Sequence, residues 1–402
     1  MFTQKLIEKI KTYNLLIIVS LLWFMVQFLR FSFPPLFETF QSIYHVSNTE
    51  TGFLFTFLMI AYASAQFPAG TLSDKFGQPL IMGIGVTIFT ISSLLIVSST
   101  SFILVTCFAI LIGLGTGPHK AVAIPMLSDQ YQDRTGLALG IMDTIGQFGG
   151  MAAPLVVVFF LSVFVWEGFF LFTAAISIIL GGIFVLSIYN SDTLSFEPSC
   201  NLENEIPEDT NVTYTDTFRD PALIGFIAVT MLFTFAWNGF SAFLPLFLVS
   251  EKGLSGSTAS VLYSLLFVSS LSQTVTGEVS DRIGRLTVGL VLFVTIFLGV
   301  ILLLITTRVI GLAIIALGIG VGFHGFRPVR DAYLMDLLPK NIGGGALGII
   351  RTLMTGVGAL APGIIGLLSD TSGFTVAYGV IGVIVATGCL FMTGLLLYQN
   401  II

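Results

Sequence analysis

The chain has 402 residues, 55% of them hydrophobic and 9% charged, with a mean hydropathy of +0.98. A soluble domain carries about 25% charged residues, so this chain cannot cover a water-facing surface. The net charge of -6 says little about partners because the acids cluster in one segment, and three widely separated cysteines offer neither a disulfide framework nor metal-ligand spacing.

Lys5, Lys9 and Lys11 precede an apolar run from about Tyr13 to Phe37. That run is too long for the apolar part of a signal peptide, and no small-residue cleavage site follows it. It reads as the first of twelve runs long enough to cross about 30 Å of hydrocarbon. The next five start near Gly52, Pro79, Phe102, Gly136 and Gly168, and a second six near Pro221, Thr258, Thr287, Gly311, Gly344 and Phe374. Between the sixes lies a polar stretch with seven acids from Asp192 to Asp216, together with Pro198 and Pro207. The expected organisation is a six-helix bundle over 1–189, an acidic linker over 190–220 and a second six-helix bundle over 221–402. The fold class is an all-α polytopic membrane protein.

Lysine and arginine set the orientation. With the N-terminus inside, the inner segments hold Lys5, Lys9, Lys11, Lys75, Arg134, Arg219, Arg282, Arg285 and Lys340, while the outer ones hold Lys252 and Arg308. The positive-inside rule then places both termini and the linker in the cytoplasm, with the plasma membrane as the expected location.

One phrase occurs twice. GTLSDKFGQ at 70–78 returns as GEVSDRIGR at 277–285, an offset of 207 residues, each time after the second run of a set of six. Other echoes keep the same order. Gly113-Leu-Gly-Thr-Gly-Pro-His119 pairs with Gly318-Ile-Gly-Val-Gly-Phe-His324, Ala138-Leu-Gly-Ile141 with Ala346-Leu-Gly-Ile349, and Ala153-Pro154 with Ala361-Pro362. Two sixes in one orientation form a parallel repeat.

On these residues the chain resembles the major facilitator superfamily over essentially its whole length. The loop after that family's second helix reads roughly Gly-x-Leu-(Ala/Ser)-Asp-(Arg/Lys)-x-Gly-(Arg/Lys); the first copy follows it up to Gln78, and the second is a weaker copy with Val279 in place of leucine. The resemblance implies two bundles that rock about a central site. It also implies a gating role for Gly70, Asp74, Lys75, Gly77, Gly277, Asp281, Arg282 and Arg285, joined by Asp129, Asp336 and Arg134 at inner helix ends. Gly70 and Gly277 are expected to let helices approach closely. The alternative is that these charges only set topology and cap helices.

Charges inside apolar spans are costly and face a cavity or one another. The cations are Arg30 in the first run, Lys120 in the fourth, Arg327 and Arg330 in the tenth and Arg351 in the eleventh; the acids are Asp143 and Asp331. Cations exceed acids by three, which favours an anionic solute. Arg351 lies about eight residues into its run, roughly 12 Å at 1.5 Å per residue, and the repeat sets Asp143 at the matching place. An arginine placed like Arg30 is similar to those with which organic-anion members of the family hold substrate. The candidate substrate residues are Arg30, Arg351, Lys120, Arg327, His119, His324, Gln27, Trp237 and Asn238, with Trp23 and Tyr263 as further cavity-lining residues. Asp143 and Asp331 are the candidate proton carriers, and the histidines titrate in the working range as well.

Several of these admit a second reading. Arg327 and Asp331 stand four apart, so they can form a salt bridge within one helix. Arg330, closer to the inner surface, is expected to snorkel. Asp143 can be the counter-ion of Arg351 or of Lys120.

The expected function is secondary-active transport of a small organic anion, a carboxylate or phosphate ester, by alternating access with proton symport. The alternative is proton-coupled efflux of drugs or amphipaths. Two departures oppose it: Ala109 stands where the family's helix-four motif has arginine, and GQFGGMAAP lacks the antiporter Gly-Pro pair. No nucleophile triad, metal spacing or phosphate-loop ending is present, so neither an enzyme nor a cofactor is expected. The expected partners are the solute, a proton and the bilayer; a monomer is expected, with no nucleic acid.

Overall fold

A computed structural model describes residues 2–189, 219–338 and 343–401. The expected linker therefore falls almost wholly outside the described residues. Twelve helical spans are present, and no strand occurs among the described residues. They are α1 (Tyr13–Tyr44), α2 (Asn48–Phe76), α3 (Gln78–Ser98), α4 (Phe102–Gln130), α5 (Gln132–Val163) and α6 (Trp166–Tyr189). The second series is α7 (Pro221–Ser250), α8 (Gly256–Ile283), α9 (Arg285–Ile305), α10 (Val309–Leu337), α11 (Gly348–Ser372) and α12 (Phe374–Gln399). Each is long and apolar enough to cross a bilayer, where a helix satisfies every backbone polar group internally.

The chain divides into two units. The first comprises Met1–Val46 and Phe57–Leu202, the second Ser47–Thr56 and Glu203–Ile402. The opening turns of α2 thus belong with the second unit, and the rest of that helix with the first.

Within each unit the same packing recurs. In the first, α1 lies against α5 and α6, and α3 against α4 and α6. In the second, α7 lies against α11 and α12, and α9 against α10 and α12. Burial follows position: the most apolar window of α1 is 83% buried and that of α7 67%, against 33% for α6 and α12. The first helix of each unit is therefore an interior element on which functional side chains can be held.

Small residues bring α4 close to its neighbours. A Cβ at Gly113 would stand 2.3 Å from the Leu58 carbonyl oxygen, and one at Gly117 2.5 Å from that of Tyr62. Backbone-to-backbone contact of this kind drives helix association in lipid. The α-helix is reset at Gly117–Pro118, where Thr116 ends one segment and Pro118 begins the next. His119 and Lys120 come directly after that reset.

Candidate functional site

In the first unit, Trp23, Gln27 and Arg30 follow steps of four and three along α1, so they share one face. They are 3%, 4% and 9% exposed. The Arg30 guanidinium donates Nη1 to Gln27 Oε1 at 3.2 Å and Nη2 to Met59 Sδ at 3.3 Å. Its Cζ lies 4.1 Å from the centre of the Tyr62 ring. An amide, a thioether and an aromatic face therefore hold a cation inside a membrane span, where charge is normally avoided.

One turn before Gln27, Trp23 organises a second group. His119 stacks on it with centroids 5.5 Å apart and planes 10° from parallel. Lys120 Nζ lies 5.5 Å from the same ring and bonds both carboxylate oxygens of Asp143, at 3.0 and 3.2 Å. Of the two counter-ions the sequence allows for Asp143, the structure selects Lys120. The Lys120 and Asp143 side chains are 35% and 42% exposed. Charges that open within a span face water rather than acyl chains.

The second unit repeats the theme. Trp237 on α7 meets His324 on α10 edge-to-face, with centroids 5.1 Å apart, and the Arg327 guanidinium lies 5.1 Å from the Trp237 ring. Asn238 donates to the Thr234 carbonyl at 2.9 Å, and Thr234 Oγ1 donates to the Met354 carbonyl of α11 at 2.7 Å. Asn238 is thus tied to its own helix, at a place where α7 meets α11.

Asp331 meets arginines of α10 and α11. Arg330 donates to its Oδ1 from Nε at 2.8 Å and from Nη2 at 2.7 Å, and Arg351 Nη2 approaches Oδ2 at 3.9 Å. The expectation that Arg330 snorkels to the inner surface is corrected: its side chain is only 10% exposed. Pairing with the adjacent aspartate in the helix interior is cheaper than stretching a buried stem outward. Arg351 is 44% exposed on its side chain.

The histidines are closed off. His119 is 3% exposed and His324 0%, each against its tryptophan. Their structural place is that of ring partners that fix an indole, a role the pattern of residues does not announce. Trp23 is the reverse case: its spacing before Gln27 and Arg30 was available in sequence, but not its contact with α4.

The duplicated loop takes one shape in both copies. Gly77 has φ 90° and ψ 138°, and Gly284 has φ 101° and ψ 134°. A positive φ of this size suits glycine and little else, which explains the glycine near the end of each phrase. Gln78 then donates to Asp129 at 3.3 Å, while Arg285 pairs with Asp336, donates to the Ala332 carbonyl and lies 3.6 Å from Asp281. Arg282 pairs with Glu278, and Asp74, Lys75 and Arg134 are exposed. Among the described residues, the close approach expected at Gly70 and Gly277 is not made. A Cβ at Gly70 meets nothing within 4 Å, and one at Gly277 makes ordinary contact with Pro328 at 3.8 Å. Among the described residues, no group of three His, Cys, Asp or Glu side chains is placed to hold a metal.

Comparison with known proteins agrees with this architecture. The family model of the Major Facilitator Superfamily matches residues 19–326 and 253–400. The chain is 22% identical over 352 residues to the hexuronate transporter of Bacillus subtilis (strain 168), covering 82% of this chain and 81% of that one. It is 24% identical over 303 residues to the gentisate transporter of Corynebacterium glutamicum, covering 74% and 68%. Among solved structures, a D-xylose-proton symporter superposes with a TM-score of 0.78 at 17% identity, covering 94% of this chain and 97% of that one. The chain belongs to the Major Facilitator Superfamily and is a multi-pass membrane transporter, not an enzyme.

Proposed function

We propose that the protein carries a small organic anion, a carboxylate or phosphate ester, across the plasma membrane by proton symport and alternating access. Both termini are placed in the cytoplasm, and the working unit is a monomer. The observation that carries the reading is Arg30, a guanidinium inside a membrane span beside Gln27, Met59 and Tyr62. A guanidinium inside a membrane span draws an anionic ligand. Arg30 and Gln27 are assigned the anion in the first unit; Arg327 and Arg351 are assigned the same chemistry in the second. Asp143 and Asp331 are assigned the coupling proton. The relatives named for hexuronate and gentisate support an anionic cargo, and the D-xylose-proton symporter supports a proton as driving ion.

The test is a thermal-shift screen of the purified protein against glucuronate, gentisate, glycerol 3-phosphate, neutral sugars and cationic drugs. Uptake into proteoliposomes under an imposed pH step follows for any hit. Selective stabilisation by an anion, and uptake driven by inward protons, is the expected result. Stabilisation by cations alone, or anion uptake indifferent to the pH step and to a protonophore, overturns the cargo or the coupling respectively.

A further inference from the structure

We propose that a cleft between α3 and α6 holds one hydrocarbon chain of a bilayer phospholipid as a fixed component of the first unit. The inference goes beyond cargo and coupling and depends on neither.

The cleft has a volume of about 620 Å³, and its floor is formed by the buried side chains of Val86, Thr90, Ser177 and Phe184. Gly83, Thr87, Phe184 and Val185 carry it on into a second space of about 330 Å³ that ends at Pro79 and Ile188. From Pro79 to Leu94 it follows α3 for about 22 Å at 1.5 Å per residue, most of the way across about 30 Å of hydrocarbon.

Its chemistry suits hydrocarbon. Thr87 and Thr90 donate their hydroxyls to the Gly83 and Val86 carbonyls of their own helix, at 2.8 and 2.7 Å, and Ser177 donates to the Thr173 carbonyl at 2.8 Å. The rest of the lining is apolar or glycine. A cavity without free polar groups stays dry and takes an apolar guest.

The internal repeat shows what fills the matching space. Counted from the duplicated phrase, Gly83 and Val86 of α3 correspond to Leu290 and Phe293 of α9; counted from Ala153-Pro154, Phe184 of α6 corresponds to Met392 of α12. In the second unit the buried Phe293 ring covers Gly388, where a Cβ would stand 2.3 Å from it, and the buried Met392 methyl covers Gly289 at 2.5 Å. The chain's own side chains thus close α9 onto α12. In the first unit the shorter Val86 reaches only to 3.2 Å from a Cβ at Gly181, and a Cβ at Gly83 or Gly182 would meet nothing within 4 Å among the described residues. What the second unit fills with its own apolar side chains, the first leaves to carbon from outside the chain.

Size separates a lipid chain from a docked helix. A helix with its side chains is at least about 10 Å across, so about 22 Å of it occupies roughly 1,700 Å³. That is well above the 620 Å³ of the cleft. One acyl chain spans about 15 Å, half of the hydrocarbon thickness, and fits lengthwise. Seated there, it braces α3 against α6 as Phe293 and Met392 brace α9 against α12.

The experiment is native mass spectrometry and thermal unfolding of the purified full-length protein. The probes are palmitoyl-oleoyl phosphatidylethanolamine and phosphatidylglycerol, with dihexanoyl lipids of the same headgroups as controls. The wild type is expected to keep a single phospholipid through detergent washing that strips the rest. Full delipidation should lower its unfolding temperature by about 2–4 °C, and the long-chain lipids, but not the dihexanoyl ones, should restore it. Gly83→Leu combined with Gly182→Leu fills the cleft from two positions with open space at Cβ. That variant is expected to keep no lipid and to unfold at the same temperature with or without it. A wild type that keeps no lipid and is indifferent to delipidation overturns the proposal, whether or not the variant folds. Equal retention by variant and wild type, or full recovery with dihexanoyl lipid, overturns it as well, and a dimer mass in place of a lipid mass gives the cleft to a second copy. All these outcomes leave the anion and proton readings standing.

Discussion

Gln78 donates its side-chain amide to Asp129 at 3.3 Å, and 207 residues further on Arg285 makes the matching contact with Asp336 as an ion pair. Loop geometry and contact are the same in the two units, but the charge differs. The first unit closes its inner loop with a neutral donor, the second with a guanidinium that also reaches the Ala332 carbonyl. If these contacts are released in the cycle, the first is the weaker. Gln78→Arg should therefore stabilise the protein by up to about 1 kcal/mol, the range for exposed ion pairs, and slow turnover without weakening solute binding. Thermal unfolding in detergent together with initial uptake rates checks this. A destabilised protein, or faster turnover, refutes it.

The reverse change removes more. Arg285 is 26% exposed and serves Asp336, Asp281 and the Ala332 carbonyl at once. Arg285→Gln should cost about 1–2 kcal/mol, discounted because both acids are more than half exposed. Arg285→Lys should recover only part of it, since an ammonium cannot match the planar fork. A lysine variant as stable as wild type would show that charge alone matters there.

Arg30 makes a sharper test of cargo. Arg30→Lys keeps the charge but loses the two-pronged contact with Gln27 and Met59, and Arg30→Ala loses both. Uptake of the identified anion should fall by about tenfold or more in the lysine variant and to background in the alanine variant, with thermal unfolding close to wild type. Normal uptake by Arg30→Ala would remove Arg30 from the site.

How much of this was legible beforehand depends on distance along the chain. The spans were legible because a lipid-crossing helix writes its length directly into hydropathy. The recurrence of the loop was legible because the phrase itself repeats at 70–78 and 277–285, but the left-handed turn at Gly77 and Gly284 was not. Local spacing put Trp23, Gln27 and Arg30 on one face. What failed was contact between helices. Asp143 had two candidate partners, and only the packing of α4 against α1 and α5 chooses Lys120. Arg330 was misplaced because depth along a span does not reveal that Asp331 turns back to meet it. Gly70 was misread because a glycine shared with a family motif need not touch anything in a given conformation. The sequence likewise gave no hint that His119 and His324 would be sealed behind tryptophans.

Asp370 at the end of α11 supplies a cap to the opening turn of α2, which belongs with the second unit. Its carboxylate accepts from the backbone N–H groups of Asn48 at 3.1 Å and Thr49 at 2.7 Å, and from Thr49 Oγ1 at 2.5 Å. The first N–H groups of α2 would otherwise lack partners, and negative charge suits a helix N-terminus. Asp370→Ala should cost about 1–2 kcal/mol, and Asp370→Asn less because one acceptor oxygen remains. Urea or thermal unfolding of the two variants orders them. An alanine variant as stable as wild type would show that water replaces the cap without loss.

Glycines on α5 separate contact from flexibility. A Cβ at Gly149 would stand 2.2 Å from the Phe24 carbonyl oxygen, a backbone atom of α1 that cannot rotate away. At Gly140, on the same helix, a Cβ meets nothing within 4 Å among the described residues. Gly149→Ala must push α1 and α5 apart, and such overpacking costs about 1–3 kcal/mol. Because Trp23 and Phe24 are neighbours on α1, that shift should also disturb the indole beside Lys120 and reduce anion affinity. Gly140→Ala should instead be neutral or stabilising by about 0.5–1 kcal/mol, since alanine orders a helix at lower entropic cost. The pair is read by thermal unfolding and by anion binding on the same preparations. Similar behaviour of the two variants would mean that the α1–α5 contact yields easily, and that Trp23 is not held in place by it.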